Sequence, residues 1–375
     1  MFATSFFRWS YGNILKPILF RMDPEYVHDT FVRIGAWLGK GHSMRGFVAW
    51  LFRYEDPILA ETVCGIRFPN PIGLSAGFDK NARMTGILPS VGFGFEEIGS
   101  VTGEPCAGNP KPRLWRLPKS KGLMVYYGLM NDGCEAIAAR LKSKRFEVPI
   151  GVSVAKTNSP ATVDTQAGIA DYVKGMRTFV EAGVGDFFVI NISCPNAFGG
   201  EPFSDATRLD LLLAGIDGVA TTKPVFVNIA ADTTTEQLDA VLDVLGRHRV
   251  HGLVISNLTK KYDRPGIAAG EITTDMKGGV SGKPVQPIAD DLISHAYRKS
   301  GTKFAIIGVG GVFTAEDAYE KIRRGASLVS LITGMIYQGP QVIGEINRGL
   351  AKLLERDGFK NVKDAIGSAN RNQNN

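Results

Sequence analysis

From about residue 60 onward, short unbroken apolar runs alternate with stretches of helical periodicity. Eight runs read as strands: 71–75, 93–99, 150–155, 187–192, 225–229, 252–256, 304–308 and 328–332. Their apolar residues are continuous rather than alternating, as expected of strands buried on both faces. Most are followed by a helical pattern, and eight such units predict an α/β fold of the (β/α)8 TIM-barrel type. The competing architecture, a doubly wound open sheet, would carry a G-x-G-x-x-G turn after its first strand. This chain has Ser75-Ala76-Gly77-Phe78-Asp79-Lys80 there.

The first 53 residues follow a different pattern. Residues 5–21 read as a short amphipathic helix with Phe6, Trp9, Ile14, Ile18 and Leu19 as its apolar positions, interrupted at Gly12 and Pro17. Asp23 and Pro24 form an N-cap followed by proline at the first helical position, and Val27, Phe31, Ile34 and Leu38 continue at helical spacing. A third apolar piece covers 47–52. The chain therefore divides into an N-terminal helical segment (1–55), a barrel (56–362) and a polar tail (363–375) expected to be disordered.

Charge sharpens that division. Of the net +6 carried by 375 residues, the first 53 supply +4, with seven Lys/Arg against three Asp/Glu. They also hold Trp9, Trp37 and Trp50, three of the four tryptophans. A basic, aromatic-rich end beside a near-neutral body fits a membrane surface better than nucleic acid. A helical subdomain packed on the body is the alternative. No run of 18 uncharged apolar residues occurs, so a spanning helix is not expected. A cleaved signal peptide is not expected either, because 1–7 lacks a basic start and no A-x-A-like site follows. Cys64, Cys106, Cys134 and Cys194 are widely spaced with no C-x-x-C, which argues against a disulfide scaffold and a structural zinc site.

Barrel enzymes keep their chemistry at the C-terminal strand ends. Here those ends carry Ala76, Gly77 and Lys80; Ser100 and Thr102; Ser153 and Lys156; Asn191, Cys194 and Asn196; Asn228; Ser256, Asn257 and Leu258; Gly310 and Gly311; and Thr333 and Gly334. Amides and hydroxyls dominate. No His or Glu cluster offers a metal cage, so no metal is expected. A ring of amides suits a planar heterocycle with several N–H and C=O groups. Glycines after the last two strands suit a phosphate, which backbone N–H groups can approach. The combination points to flavin mononucleotide (FMN).

Several segments carry a family resemblance: KPILFRMDPEYVH (16–28), NPIGLSAGFDK (70–80), residues 92–102, KPRLWRL (111–117), NISCPN (191–196), GGVSGKP (278–284) and IIGVGGV (306–312). Over roughly residues 14–355 the chain resembles class 2 dihydroorotate dehydrogenases, the membrane-associated, quinone-reducing type. The resemblance implies noncovalent FMN, oxidation of dihydroorotate to orotate in pyrimidine biosynthesis, and an N-terminal helical pair that opens a quinone tunnel. It implies a peripheral place on the cytoplasmic face of the inner membrane, or on the mitochondrial inner membrane in a eukaryote. Position by position, it implies FMN contacts at Ala76, Gly77, Lys80, Ser100, Asn191, Ser256, Gly282, Gly311 and Thr333. It implies substrate contacts at Lys80, Asn191, Asn196 and Asn257, a catalytic base at Cys194, and quinone-tunnel positions at His28 and Arg116.

Taken singly, these residues have plainer readings. Lys80 and Arg116 could be surface cations, His28 a helix-surface histidine, Asn257 a turn cap and Cys194 an inert buried thiol.

The chain also departs from that family. Class 2 members usually carry serine at the base position; a cysteine thiol, with a reference pKa of about 8.5, reaches its thiolate more easily. The strand-five lysine at the flavin N1/O2 edge is Asn228, which should make the flavin a weaker oxidant. The loop asparagine that meets the dihydroorotate ring is Val125, and the phenylalanine after it is Leu129. The threonine after the strand-six asparagine is Leu258. The strand-three asparagine near the flavin is Ser153, and the tyrosine beside the quinone path is Ile332. Two polar ring contacts thus become apolar, at about 1–3 kcal/mol for each polar group left unpaired. Three readings stand at this point: a dihydroorotate dehydrogenase, a divergent FMN dehydrogenase acting on a more apolar cyclic or amide-bearing substrate, and a non-catalytic flavin-binding membrane scaffold.

Overall fold

The computed structural model of the chain describes residues 2–194, 196, 200 and 202–371. Eight parallel strands close into a barrel: β1 (Ile72–Leu74), β2 (Phe95–Val101), β3 (Ile150–Val154), β4 (Phe187–Asn191), β5 (Val225–Ile229), β6 (Gly252–Ile255), β7 (Ala305–Val309) and β8 (Leu328–Leu331). Each falls within or overlaps one of the eight apolar runs. Each pairs with its neighbour in sequence, and β8 returns to β1 through Val329–Ile72 and Leu331–Leu74.

Helices cover the outside, and polar side chains set where they start. Asp164 caps Thr165–Glu181 by accepting from Gln166 and Ala167 N–H, and Thr234 with Gln237 forms a capping box on Thr235–Leu245. Inside, the N-terminal end of the barrel is plugged by Phe68, Phe95, Phe187 and Phe226, whose rings meet edge-on at centroid distances of 5.5–6.3 Å. Gly73 and Gly151 make room for this plug: a Cβ at either would lie 2.3 Å from the Phe95 or Phe187 ring. A three-stranded antiparallel sheet (Leu114–Leu117, Gly122–Val125, Gly279–Gly282) stands at the opposite end.

The N-terminal segment is helical, as its pattern predicts, but it begins earlier. It comprises α1 (Phe2–Ser10), a π-helical turn at Tyr11–Leu15, one more turn at Lys16–Leu19, α2 (Pro24–Leu38) and α3 (His42–Phe52). Pro17 does not break it: the wider turn just before absorbs the lost N–H, with Lys16 N–H reaching Tyr11 O. Tyr11 is buried and donates to Ile336 O at 2.6 Å, Phe7 packs edge-on against Phe52, and Gly35 lets α2 approach Met84. A buried ion pair links α2 to the sheet, with Arg113 donating to Glu25 at 2.8 and 3.1 Å. No helix among the described residues is long and apolar enough to cross a membrane.

The tail differs from expectation. Residues 363–371 are not a loose polar end: Val362–Ala365 and Ser368–Arg371 are helical turns. Val362 and Ala365 are fully buried, and Asn370 donates to Arg324 O at 2.8 Å. Two small apolar anchors and one backbone-paired amide suffice to hold a segment that polarity alone marks as free. Residues 372–375 of the expected tail lie outside the described residues.

Candidate active site

The C-terminal end of the barrel opens into a cavity of about 1360 Å³ of atom-free space, mouth included. Its floor is built from strand ends: Ser75, Ala76 and Gly77 after β1, Ser100 on β2, Asn191 on β4, Asn228 on β5, Ser256 after β6, Gly310 and Gly311 after β7, and Thr333 after β8. Leu114, Leu123 and Val125 of the small sheet form a wall, and His28 of α2 reaches it from the N-terminal segment.

One hydrogen-bond chain organises half of this floor. Ser153 Oγ pairs with Ser100 Oγ (2.8 Å), Asn191 Nδ2 donates to Ser100 Oγ (2.8 Å), and Ser193 N–H and hydroxyl donate to Asn191 Oδ1 (both 3.1 Å). Asn257 Nδ2 donates to Ser193 Oγ (3.0 Å), and its Oδ1 accepts from Leu258 N–H (2.9 Å). Four strand ends are thus locked together, and the Asn191 and Asn257 amides are held in fixed orientations. Asn196 Nδ2 donates to Val125 O at 2.8 Å. Three buried polar atoms at the cavity have no hydrogen-bond partner among the described residues: Asn196 Oδ1, Asn228 Oδ1 and the Tyr127 hydroxyl oxygen.

Lys80 has an unusual setting. It is buried, its ammonium lies 3.8 Å from the centre of the Tyr127 ring, and its Nζ is 3.2 Å from His28 Nε2. Burial lowers its pKa to about 8, against the pull of Asp29 and Glu25. Burial and the Lys80 charge push His28 well below its ordinary value, so the imidazole is neutral and its Nε2 accepts from the lysine. Burial raises the Glu25 carboxyl, but the hydrogen bonds and charges of Arg113 and Lys111 win and hold it low. Lys80 is therefore a desolvated cation facing a cavity with no carboxylate in contact among the described residues, an arrangement ready for an anionic ligand.

The structure gathers most of the sequence-predicted residues here. Ala76, Gly77, Lys80, Ser100, Asn191, Asn228, Ser256, Gly282, Gly311 and Thr333 all border the cavity. So do Val125, Leu129, Cys194, Asn196, Asn257, Leu258, His28 and Ile332. Two do not. Ser153 is fully buried beside Ser100 on the neighbouring strand and reaches the cavity only through that hydroxyl. Arg116 stands apart, its guanidinium over the Phe20 ring at 4.8 Å and donating to Met22 O, so it fastens the turn before α2.

Sequence reasoning missed Tyr127, Ser193 and the Glu25–Arg113 pair. Ser193 could have been found as the residue between two site positions. Tyr127 and Glu25 depend on contacts across the chain that no local pattern reports.

Comparison with known proteins agrees with this geometry. The profile of the family described as "Dihydroorotate dehydrogenase" matches residues 58–354. The chain is 39% identical over 360 residues to the dihydroorotate dehydrogenase (quinone) of Gloeobacter violaceus, covering 95% of this chain and 98% of that one. It is 38% identical over 357 residues to the same-named protein of Natronomonas pharaonis, again covering 95% and 98%. The crystal structure of DHODH from Eimeria tenella in complex with ferulenol superposes with a TM-score of 0.81 at 30% identity, covering 93% of this chain and 96% of that one. A flavin-type barrel with a helical N-terminal segment is thus the class of protein in hand. The chain belongs to the dihydroorotate dehydrogenase family, in its class 2, quinone-dependent branch.

Membership implies a flavin, and the cavity fits one. Gly77 has φ +110, which a side chain would strain, and it borders the cavity beside Ile332, whose Cδ1 would lie 3.8 Å from a Cβ there. Gly310 and Gly311 also border the cavity with positive φ, a backbone form that suits close approach of an anion. The orphan Asn228 Oδ1 on the floor offers an acceptor to a ring N–H.

Proposed function

We propose that this protein is an FMN-dependent dehydrogenase that oxidises the CH–CH bond next to a carbonyl in dihydroorotate, yielding orotate, with a quinone as final acceptor. The observation that carries the proposal is the convergence of Lys80, Cys194, Asn196 and Asn257 on one glycine-lined cavity. FMN, when bound, would supply the hydride acceptor and the redox link to quinone. Ala76, Gly77, Ser100, Asn191, Asn228, Ser256, Gly282, Gly311 and Thr333 would hold it.

The chain's own residues do the rest. Cys194 as thiolate takes the proton from the carbon beside the carbonyl, which leaves a thiol and, with hydride departure from the neighbouring carbon, a C=C bond. Lys80 leaves His28 to pair with the substrate carboxylate. Asn196 and Asn257 orient the ring amides, and the apolar wall of Val125, Leu129 and Leu258 excludes water.

Quinone access would run past His28 and Ile332. Of the sixteen large apolar side chains exposed among the described residues, thirteen precede residue 54, including Phe6, Trp9, Trp37, Phe47 and Trp50. With the net charge of +4 there, this supports a collar lying on an anionic leaflet, each cation adding about 1 kcal/mol. The cytoplasmic face is the one that carries such lipids.

A second reading is favoured by the same wall. Val125 and Leu258 offer no polar partner to a ring, and the Asn191 and Asn257 amides are already bonded to Ser100, Ser193 and Leu258. A more apolar cyclic substrate on the same scaffold would suit them. Anaerobic mixing of the yellow protein with dihydroorotate separates the two. Loss of flavin absorbance within seconds supports dihydroorotate. Bleaching by dithionite alone supports the second reading.

A further inference from the structure

Three segments meet on one side of the cavity: 281–286 at the end of the small sheet, 310–314 leaving β7 and 333–334 after β8. Gly282, Gly310, Gly311 and Thr333 border the cavity there. The segments are in direct contact. A Cβ on Gly311 would lie 2.2 Å from Gln286 Cβ, one on Gly310 3.1 Å from Val285 Cγ1, and one on Gly282 3.0 Å from Thr333 Cγ2. Ser281 Oγ and Thr333 Oγ1 are 2.9 Å apart.

Behind the first two segments, one carboxylate ties them together. Asp317, in the first turn of the Ala315–Arg324 helix, accepts from Phe313 N–H at 2.8 Å and Thr314 N–H at 3.0 Å on one segment. It accepts from Lys283 Nζ at 2.7 Å and Gln286 Nε2 at 2.8 Å on the other. A capping box at this helix needs only the Thr314 bond. The Lys283 and Gln286 bonds reach a separate part of the chain. The three ammonium donors of Lys283 are taken up by the two Asp317 oxygens and by Gln286 Oε1 at 2.8 Å. Burial would raise the Asp317 carboxyl, but the Lys283, Phe313 and Gln286 hydrogen bonds outweigh it and hold it below its ordinary value. Lys283, Gln286 and Asp317 stand behind the wall and do not border the cavity.

We infer that Asp317 is a positioning residue for the flavin phosphate: it clamps the glycine-bearing segments 282–286 and 310–314 at the spacing at which their backbone takes up the anion. The inference rests on FMN being the flavin of the proposed function. Backbone donors cannot swing to follow a ligand as a lysine side chain can, so the segments that carry them must be held to within about 0.5 Å. Lys283 follows Gly282 directly, yet its charge is matched by Asp317 and not offered to the cavity. That separates two accounts of the ion pair. If placement governs, neutralising Asp317 loosens the two segments and the phosphate is held less well. If charge governs, the same change leaves Lys283 unmatched near the phosphate, which is then held more tightly.

The test is a flavin exchange on the holoenzyme. Parent and Asp317→Asn proteins are equilibrated with an excess of FMN and riboflavin at equal concentrations, freed of unbound flavin, and the bound flavins are separated and quantified. Riboflavin lacks only the phosphate, so a general loss of stability weakens both flavins alike and leaves their ratio unmoved. The parent should retain FMN in strong preference, and Asp317→Asn should lower the bound FMN-to-riboflavin ratio about tenfold. If that variant does not fold, Gln286→Leu cuts the same tie with no change of charge and should lower the ratio about threefold. A ratio that stays at the parent's value or rises overturns the inference. The FMN reading fails separately: a parent that retains riboflavin as readily as FMN removes the phosphate from the site, and the positioning role with it.

Discussion

The two ends of the barrel interior are built from the same strands and share almost no chemistry. On β4, Phe187 plugs the N-terminal end while Asn191, four residues on, faces the cavity; on β5, Phe226 and Asn228 do the same two residues apart. One end is packed aromatic rings with no polar partner to satisfy. The other is a ring of amides, hydroxyls and glycines that leaves three buried polar atoms unpaired. The aromatic end is closed by packing, and the polar end keeps unpaired groups where a cofactor and substrate enter.

The sharpest way to break that comparison is Cys194→Ala. It should slow flavin reduction by substrate about 10²–10⁴-fold and leave the melting temperature within a degree or two, as stopped-flow absorbance and calorimetry would show. Phe187→Ala should do the reverse, costing about 3–5 kcal/mol of stability with intact flavin binding in the fraction that folds, measured by denaturant unfolding. Equal losses of stability from the two variants would erase the distinction between the ends.

Lys80 offers a pH test. With its pKa near 8 it carries charge below that value, so affinity for an anionic substrate should be flat below pH 8 and fall about tenfold per pH unit above it. Titration of the Kd for orotate reads this directly. The sign for folding without ligand is opposite. The unfolded chain keeps the proton up to 10.5, so between pH 8 and 10.5 this lysine makes the protein more stable as pH rises.

Glu97 tests the middle layer. It is buried between the two ends with no hydrogen-bond partner for either oxygen among the described residues, and burial raises its pKa to about 8. The folded state therefore holds its proton between 4.5 and 8 where the unfolded state does not, and stability present below 4.5 is lost as pH rises to 8. Glu97→Gln should remove that slope, at most about 1.4 kcal/mol per pH unit. An unchanged slope would mean Glu97 finds a partner or solvent. The smallest expected effect is at the floor: Asn228→Lys should raise the flavin midpoint potential by about 20–60 mV, the equivalent of about 1–3 kcal/mol.

The same contrast explains what could be read from the chain alone. All eight strands were visible because strands buried on both faces leave unbroken apolar runs, such as FFVIN at 187–191 and VFVNI at 225–229. The site residues were visible because strand ends are where those runs stop. Depth was not visible. Ser153 and Ser100 look equivalent in sequence and sit side by side on neighbouring strands, yet only Ser100, next to an irregularity in its strand, meets the cavity. Nor was the setting of Lys80 visible, since Tyr127 and His28 come from a loop and a helix 47 and 52 residues away. The helical turns at 362–371 escaped because two buried apolar side chains in a polar stretch, Val362 and Ala365, leave no periodic trace.

The most direct measurement is a crystal structure of the protein with FMN and orotate. Orotate should lie against the flavin with its carboxylate on Lys80, its ring between Asn196 and Asn257, and Cys194 Sγ beside the ring carbon that carried the proton. Orotate bound elsewhere, or Cys194 Sγ facing away from it, would contradict that arrangement.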